Sequence, residues 1–399
     1  MEQDPVVIVG AARTPIGALM GELAPLPAPS LGGAAIAAAL ARSGVGADAI
    51  AEVLMGCVLP AGQGQAPARQ AARAAGLPAG VGAITLNKVC GSGMKALQLA
   101  HDMLLAGSGD CYVAGGMESM SNAPHLFARA RAGLRFGHAM VFDHMAFDGL
   151  EDAYERKSDG SGRAMGEYAE DCAAALGIAR ASQDAFAIAS TQRAREAAAA
   201  GHFDWEIAPL EVPGRDGLLR IDRDETPTRV RLDRIPGLRP AFRPDGTITA
   251  ASASSISDGA AALVLMRASE AARRGLMPLA RIHAHATHAR APADFPTAPI
   301  GAIGSVLERA GWVAAQVDLW EINEAFAVVT LAAMQAFGLP HERVNVHGGA
   351  CALGHPIGAS GARIVVTLIG ALRRLGLRRG VASLCIGGGE ATAMAIELA

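Results

Sequence analysis

The chain has 399 residues, 51% of them hydrophobic and 18% charged, and a formal net charge of −3. This length is enough for about two or three folding units with large cores. The near balance of 35 basic and 38 acidic residues lacks the positive excess of a dedicated nucleic-acid binder. No apolar run reaches the roughly 18 residues of a membrane span, and a start with two early acids and no basic, apolar leader predicts a cytoplasmic location.

Short apolar strands alternate with helices in the first third of the chain. The pattern predicts strands over 6–9, 52–58, 84–89 and 111–114, and helices over 31–42 and 92–105. The last of these strands runs into Gly115 and Gly116. Apolar strands without polar alternation are typical of a sheet that is covered on both faces.

The last third repeats this plan. Strands are predicted over 279–286, 317–322 and 381–386, and helices over 324–337 and 360–375. A helix between two glycines, followed by a strand and a glycine cluster, occurs at 93–107 and again at 361–376. We interpret this as an internal duplication, with one half formed by 1–120 plus 257–276 and the other by 277–399.

Residues 121–256 interrupt the repeat and are richer in Arg, Asp and Pro. Helices are predicted over 165–175 and 183–199, and the polar stretch 215–236 favours loop and edge strand. Insertions at the end of a sheet commonly cover a ligand. We therefore expect a loop domain over the substrate site.

The six cysteines are widely spaced and form no CxxC pair, which argues against a disulfide framework and a zinc knuckle. Cys90, in NKVCGSGMKAL, lies where a strand gives way to a helix. A helix N-terminus lowers the pKa of a nearby thiol, so Cys90 is a candidate nucleophile. The alternative is a small buried core residue.

Three further segments carry candidate chemistry. His355, in HGGACALGHPIGASGAR, could take a proton from a thiol, or could be a capping or core histidine. Cys385, in LCIGGGEATA, ends the last predicted parallel strand before glycines whose N–H groups could bind an oxyanion, or is a core thiol. Asn323, in NEAFA, could orient a water or a carbonyl, or cap the following helix.

These segments, together with VVIVGAARTP at the start and SISDGAAAL at 255–263, resemble the thiolase family in order and spacing over essentially the whole chain. The resemblance implies an α/β, five-layered αβαβα fold of two similar halves with an inserted loop domain. It also implies a homodimer or homotetramer that forms and breaks carbon–carbon bonds of acyl-CoA thioesters in fatty-acid metabolism. Coenzyme A thioesters would be the substrates, and no separate cofactor is expected.

The resemblance also assigns catalytic roles. Cys90 would be the nucleophile that becomes acylated, His355 the base that activates it, and Cys385 the group that exchanges a proton with the methyl of acetyl-CoA. A water held by Asn323, with His355, would stabilise the enolate oxygen. The backbone N–H groups of Cys90 and Gly387 would stabilise the tetrahedral intermediates.

On the substrate side, the resemblance places Ser254 on the pantetheine arm, Met165 along its tunnel, and Arg229 near the nucleotide. Two positions depart from the family pattern. Ala164 stands where biosynthetic relatives often carry a histidine, and Glu390 stands where many relatives have a further glycine. Both departures bear on the walls of the acyl site.

The activity that fits best is that of an acetyl-CoA C-acetyltransferase, which makes acetoacetyl-CoA from two acetyl-CoA or cleaves it with CoA. A 3-ketoacyl-CoA thiolase of longer chain length would use the same three reactive residues. A decarboxylating ketoacyl synthase would carry a histidine in place of Cys385, and a non-catalytic acyl-CoA or lipid-binding relative would not need the nucleophile. Acyl-chain length, direction of reaction and dimer versus tetramer stay open.

The segment RIHAHATH, 281–288, has the spacing of a possible metal motif. On a regular strand His283 and His285 share one face and His288 lies on the other. No acidic residue or cysteine is close in sequence. We therefore expect no metal here.

Overall fold

Strands and helices alternate along both ends of the chain in the computed structural model, which describes residues 4–128, 130–214 and 217–399. The strands are β1 Val6–Arg13, β2 Gly17–Ala18, β3 Glu52–Gly56, β4 Gly82–Leu86, β5 Cys111–Ser119, β6 His125–Leu126, β7 Phe142–Asp143, β8 Glu151–Arg156, β9 Gly162–Ala164, β10 Leu210–Gly214, β11 Gly217–Ile221, β12 Ser257–Arg267, β13 Ala280–Ala289, β14 Leu319–Ile322, β15 Arg379–Ile386 and β16 Glu390–Leu398. The helices are α1 Ala28–Ser43, α2 Pro67–Ala74, α3 Ser92–Leu105, α4 Met165–Leu176, α5 Arg180–Ala199, α6 Thr226–Arg229, α7 Ala268–Arg273, α8 Ala298–Ala310, α9 Ala327–Phe337, α10 Ala350–Leu353 and α11 Ser360–Leu375.

The main strands form two mixed sheets that meet along one pair of strands. The first half contributes the order β4-β3-β5-β12-β1, and the second half contributes β13-β16-β15-β14. The strand pairs β3–β4, β3–β5 and β14–β15 are parallel, and the other pairs in these sheets are antiparallel. A short antiparallel contact of Val7 with Arg281 and Ile8 with Ala280 joins the sheets.

Alternate side chains of each sheet pack into different hydrophobic cores on its two faces, and this arrangement gives five layers. In β1, Val7 and Val9 pack beneath α1 and α2, whereas Val6 and Ile8 face α3 and α11. The second sheet faces the same central pair of helices and covers α8 on its other side. The layer order is therefore helices, sheet, the α3 and α11 pair, sheet, helices, as predicted for the fold class.

The loop domain is built from short elements between β5 and β12. Three two-stranded ribbons, β6–β7, β8–β9 and β10–β11, accompany α4, α5 and α6. Buried Arg13, at the end of β1, forms ion pairs with Glu206 at 2.5 Å and Asp224 at 2.7 Å. This paired charge anchors the inserted region to the first sheet. Within the described ranges, no helix is long and apolar enough to cross a bilayer.

The sequence predicted the central helices α3 and α11 with their observed bounds, but other elements differ. The helices α2 and α8 and the strand β16 were not predicted. The strand predicted over 111–114 continues to Ser119 through Gly115 and Gly116. A Cβ on Gly115 would lie 2.0 Å from the carbonyl oxygen of Ala261, so glycine here permits close strand contact instead of ending the strand.

The histidine motif of β13 is interrupted by a β-bulge. The register with β16 shifts between Ile282 and Ala284, which turns His283 toward Trp312 on the outer face. His285 points instead to α3, where it contacts His101 and Asp102. The prediction that His283 and His285 share a face was therefore wrong, because one extra residue inverts the alternation.

The two central helices touch at glycines near their N-termini. A Cβ on Gly361 would lie 2.4 Å from the backbone nitrogen of Met94, and one on Gly93 would lie 2.8 Å from the nitrogen of Ala362. Both glycines belong to the duplicated segments, so the duplication brings the starts of α3 and α11 together. The loops before these helices carry Cys90 and His355.

We predict that Gly361→Ala destabilises the fold, because an added methyl in a tight backbone contact typically costs roughly 1–3 kcal/mol. Gly304→Ala, in α8, is the matched control, since no described atom lies within 4 Å of its added Cβ. Alanine there should be neutral or stabilise by roughly 0.5–1 kcal/mol. Urea unfolding at one protein concentration measures both changes, and equal midpoints for the two variants would contradict the contact.

Candidate active site

One cavity of about 370 Å³ lies where the two halves and the loop domain meet. Its wall contains the three predicted reactive side chains, Cys90, His355 and Cys385, together with Gly387. Apolar residues form most of the remaining lining, among them Phe242, Ile256, Phe295, Phe326 and Ile357. Groups predicted from distant segments of the sequence thus share one water-restricted space.

A strained turn presents Cys90 to this cavity. Val89 has φ of +46°, which is rare for a β-branched residue. Its N–H donates to the side chain of Asn87 at 2.8 Å, and its carbonyl accepts from Ser92 Oγ at 2.6 Å. These bonds hold the turn between β4 and α3, so the thiol projects from a fixed position.

The electrostatic prediction for Cys90 was wrong in sign. Burial raises the pKa of its thiol to about 11, although the backbone N–H of Gly387 favours the thiolate. Desolvation therefore outweighs both that hydrogen bond and the helix N-terminus. Cys90 is a neutral thiol near pH 7 and needs a base to become a nucleophile.

His355 is held in the tautomer that such a base requires. Its Nδ1 lies 2.6 Å from Ser360 Oγ, and that hydroxyl donates to the Pro356 carbonyl at 3.0 Å. Ser360 therefore accepts from Nδ1–H, which leaves the buried Nε2 without a proton and without a partner among the described residues. Burial, and then the charge of Arg363, lowers the pKa of His355 to about 3, so the ring is neutral.

Cys385 lies one residue before the end of β15, just ahead of the glycine turn. Burial, and then nearby Cys90, raises the pKa of its thiol well above the ordinary value. Gly387 in the turn lines the same cavity as Cys90, and its backbone N–H lowers the pKa of that thiol. The second half thus places a buried thiol and the Gly387 backbone in the same cavity as Cys90 of the first half.

Asn323 directly follows β14 and is not among the residues that line this cavity, unlike the other predicted catalytic residues. Its backbone N–H donates to the Ser383 carbonyl at 2.9 Å, and its Oδ1 accepts from Arg363 at 3.4 Å. Its Nδ2 is buried and has no partner in the described parts of the chain. Because α9 begins at Ala327 with Phe326 as its N-cap residue, the alternative role of Asn323 as a helix cap is excluded.

A buried carboxylate connects the two loops around the nucleophile and the base. Glu118, at the end of β5, accepts from the backbone N–H groups of Val58 at 2.9 Å, Leu59 at 3.1 Å and Gly358 at 2.9 Å. Gly358 belongs to the loop that carries His355. Burial raises the pKa of Glu118 to about 7, against the effect of the three amides.

The predicted substrate contacts fall in two places. Ser254 and Met165 line the reactive cavity, as does Ala164. Arg229 lines a neighbouring cavity of about 340 Å³, where its guanidinium forms an ion pair with Glu225 at 2.5 Å. Arg231 and Arg234 line the same cavity, so three cations face this space.

Glu390, the second departure from the family pattern, forms an ion pair with Lys88 of the nucleophile segment. The pair links the glycine turn after Cys385 to the residues before Cys90. The Glu390 carboxylate therefore alters the outer wall of the site, because its ion pair with Lys88 joins the two halves of the chain.

Comparison with known proteins agrees with this geometry. Residues 6–269 match the model of the thiolase N-terminal domain, and residues 276–398 match that of the thiolase C-terminal domain. The chain belongs to the thiolase family. It is 49% identical over 394 residues to an acetyl-CoA acetyltransferase of Cupriavidus necator, an alignment that covers 98% of this chain and 99% of that protein.

Other thiolase relatives cover the chain equally well. Acetyl-CoA acetyltransferase 2 of Arabidopsis thaliana is 49% identical over 396 residues, covering 98% of this chain and 97% of that protein. The crystal structure of the Bacillus anthracis acetyl-CoA acetyltransferase superposes with a TM-score of 0.95 at 38% identity, covering 100% of this chain and 99% of that one. The predicted family and fold class are therefore confirmed.

Sequence reasoning missed several groups that this thiolase site depends on. Glu118, Ser360 and Arg363 hold other residues in place and have no motif of their own. Ser360 and Arg363 lie inside the GHPIGASGAR segment, and Glu118 is an acid in an otherwise apolar strand. The signal available for Glu118 was an acidic residue in an apolar strand, because a buried carboxylate must be hydrogen-bonded by other groups.

We predict that alkylation of Cys90 by iodoacetamide accelerates about tenfold per pH unit from pH 7 to 9, because the thiolate fraction rises in this way below a pKa of about 11. Cys90 should be modified first, since it is partly exposed and the other five cysteines are buried. Mass spectrometry locates the label, and pre-incubation with acetyl-CoA should protect Cys90.

A rate that is flat between pH 6 and 8 would instead indicate a preformed thiolate–imidazolium pair. Preferential labelling of Cys57, Cys111, Cys172 or Cys351 with activity retained would remove Cys90 from its role.

Proposed function

We propose that this chain acts as an acetyl-CoA C-acetyltransferase, condensing two acetyl-CoA reversibly to acetoacetyl-CoA and CoA. The observation that carries the proposal is the convergence of Cys90, His355 and Cys385 on one cavity. The names of the relatives support the choice of acetyl-CoA as substrate.

In the first half-reaction, neutral His355 accepts the Cys90 proton at Nε2, and the sulfur attacks the thioester carbonyl. The backbone N–H of Gly387 lowers the pKa of the Cys90 thiol, and we propose that it stabilises the oxyanion of the tetrahedral intermediate. When the intermediate collapses, the bond to the CoA sulfur breaks and His355 returns the proton to that sulfur. The product is an acetyl group on Cys90 and free CoA.

In the second half-reaction, His355 takes the proton of the Cys385 thiol at Nε2, and the resulting Cys385 thiolate removes a proton from the methyl of the second acetyl-CoA. The raised pKa of this thiol makes its thiolate a stronger base, which suits a weakly acidic α-proton. The carbanion attacks the acetyl carbonyl, the new carbon–carbon bond forms, and the bond to Cys90 breaks as the departing Cys90 sulfur takes the proton back from His355. In thiolysis the steps reverse, and Cys385 as a thiol protonates the departing enolate.

The substrate arm is proposed to enter past Ser254 and Met165, with the nucleotide toward the cavity of Arg229, Arg231 and Arg234. Guanidinium groups suit phosphate oxygens, which supports this direction. Because Glu225 already engages Arg229 and Asp233 lies 3.4 Å from Arg231, Arg234 is the strongest candidate for phosphate contact.

We also propose that the subunits assemble as a homodimer or homotetramer. The edge strand β4 ends the first sheet and leaves Ile84 41% exposed. Within residues 134–141, four large apolar side chains face solvent: Leu134, Phe136, Met140 and Val141. Exposed strand edges and apolar patches of this kind favour association. A cytoplasmic location and a role in fatty-acid metabolism accompany the proposal as predictions from the sequence.

We predict that acetoacetyl-CoA is the preferred substrate in thiolysis, with a higher kcat/KM than 3-ketoacyl-CoA of six or more acyl carbons. The aromatic wall of Phe242, Phe295 and Phe326 limits the space beside the reactive thiols. Steady-state kinetics across the chain-length series measures this, and Cys90→Ala provides the inactive control.

A higher kcat/KM on the longer substrates would favour the alternative, a broad 3-ketoacyl-CoA thiolase. Absence of thiolysis on every chain length, with acyl-CoA binding retained, would favour a binding protein.

A further inference from the structure

Three side chains that can bind metals meet where α3 passes β13, outside the reactive cavity. His101 and Asp102 lie near the C-terminal end of α3, and His285 lies beyond the bulge of β13. Asp102 Oδ1 is 3.1 Å from His101 Nδ1 and 2.9 Å from His285 Nε2. One ligand atom from each residue lies within 4.8 Å of the other two.

We propose that His101, Asp102 and His285 bind a divalent metal ion of the zinc class. Two imidazole nitrogens and a carboxylate oxygen are a ligand set that such ions prefer. With bonds of about 2.0–2.2 Å to each atom, the ion needs ligand atoms separated by roughly 3–4 Å. The observed separations of Asp102 Oδ1 from the two histidine nitrogens, 3.1 Å and 2.9 Å, are close to this range. The ion would take the place of the two N–H protons now directed at Asp102.

The surroundings favour binding from solvent to a preformed site. The side chains of His101 and His285 are 12% and 15% exposed, whereas that of Asp102 is 54% exposed, so the ion has an open approach and water can complete its coordination.

The backbone beneath the cluster is fixed. Gln98, one turn before His101, donates to the Ala286 carbonyl at 3.1 Å, and Arg309 donates to the His285 carbonyl at 2.8 Å. Helix and strand are therefore already held at the spacing that the ion requires. Such preorganisation reduces the entropic cost of binding.

The ion would join the first half, through α3, to the second half, through β13. The expectation of no metal at RIHAHATH considered only residues adjacent in sequence, whereas these partners come from a helix 183 residues away. The site is separate from Cys90, His355 and Cys385, so its role is to stabilise the contact between halves.

The test is a Zn²⁺ titration of the full-length, chelator-treated protein against a competing chromophoric chelator. His285→Ala removes a ligand, and His288→Ala, on the opposite face of the same strand, is the matched control. We expect one Zn²⁺ per chain in the wild type and in His288→Ala, and at least about tenfold weaker binding in His285→Ala. His101→Ala, at the end of α3, should weaken binding equally and serves if His285→Ala fails to fold.

Co²⁺ substitution identifies the ligands. A spectrum without thiolate-to-metal charge transfer supports the histidine and carboxylate site, whereas a thiolate spectrum places the ion on the cysteines and overturns the proposal. Absence of stoichiometric Zn²⁺ binding, or equal affinity in the wild type, His285→Ala and His101→Ala, would also overturn it and leave a hydrogen-bonded cluster.

Discussion

The site depends on the buried carboxylate of Glu118. It binds backbone amides from two loops that belong to different halves of the chain, Val58 and Leu59 on one side and Gly358 on the other. The Glu118–Gly358 hydrogen bond ties the loop that carries His355 to the first half through a buried carboxylate. An acid buried among three amide donors is costly to remove, because each donor then loses its acceptor. The carboxylate therefore helps to hold His355 of one half in the same cavity as Cys90 of the other.

The same meeting of halves explains the protonation states. Cys90, His355 and Cys385 are all desolvated, so burial disfavours every charged form at once: it raises the pKa of both thiols and lowers that of the imidazole. A resting site of neutral groups avoids unpaired buried charge. In the proposed mechanism, charge then develops only during the reaction, close to the Gly387 backbone in the cavity wall.

The sequence predicted those features that depend on local pattern. Apolar periodicity predicted α3 and α11, and three segments rich in glycine and containing cysteine indicated the reactive residues Cys90, His355 and Cys385. The sequence did not predict the role of Glu118, because a single acidic residue forms no recognisable spacing pattern. It did not predict the β-bulge at Ile282, because one extra residue in a strand does not change the composition of the segment. The pKa of Cys90 was assigned in the wrong direction because the helix N-terminus is readable from sequence whereas burial is a property of the whole fold.

The central claim is that the thiol of the first half carries the acyl group and the thiol of the second half moves the proton. The most direct measurement compares the two half-reactions in Cys385→Ala. This variant should still form an acetyl adduct on Cys90, detected by mass spectrometry. Exchange of solvent deuterium into the methyl of acetyl-CoA should fall at least about 10²-fold, because a positioned base has been removed. A folded Cys385→Ala protein that acylates normally and exchanges at the wild-type rate would contradict the account and assign proton transfer to another residue.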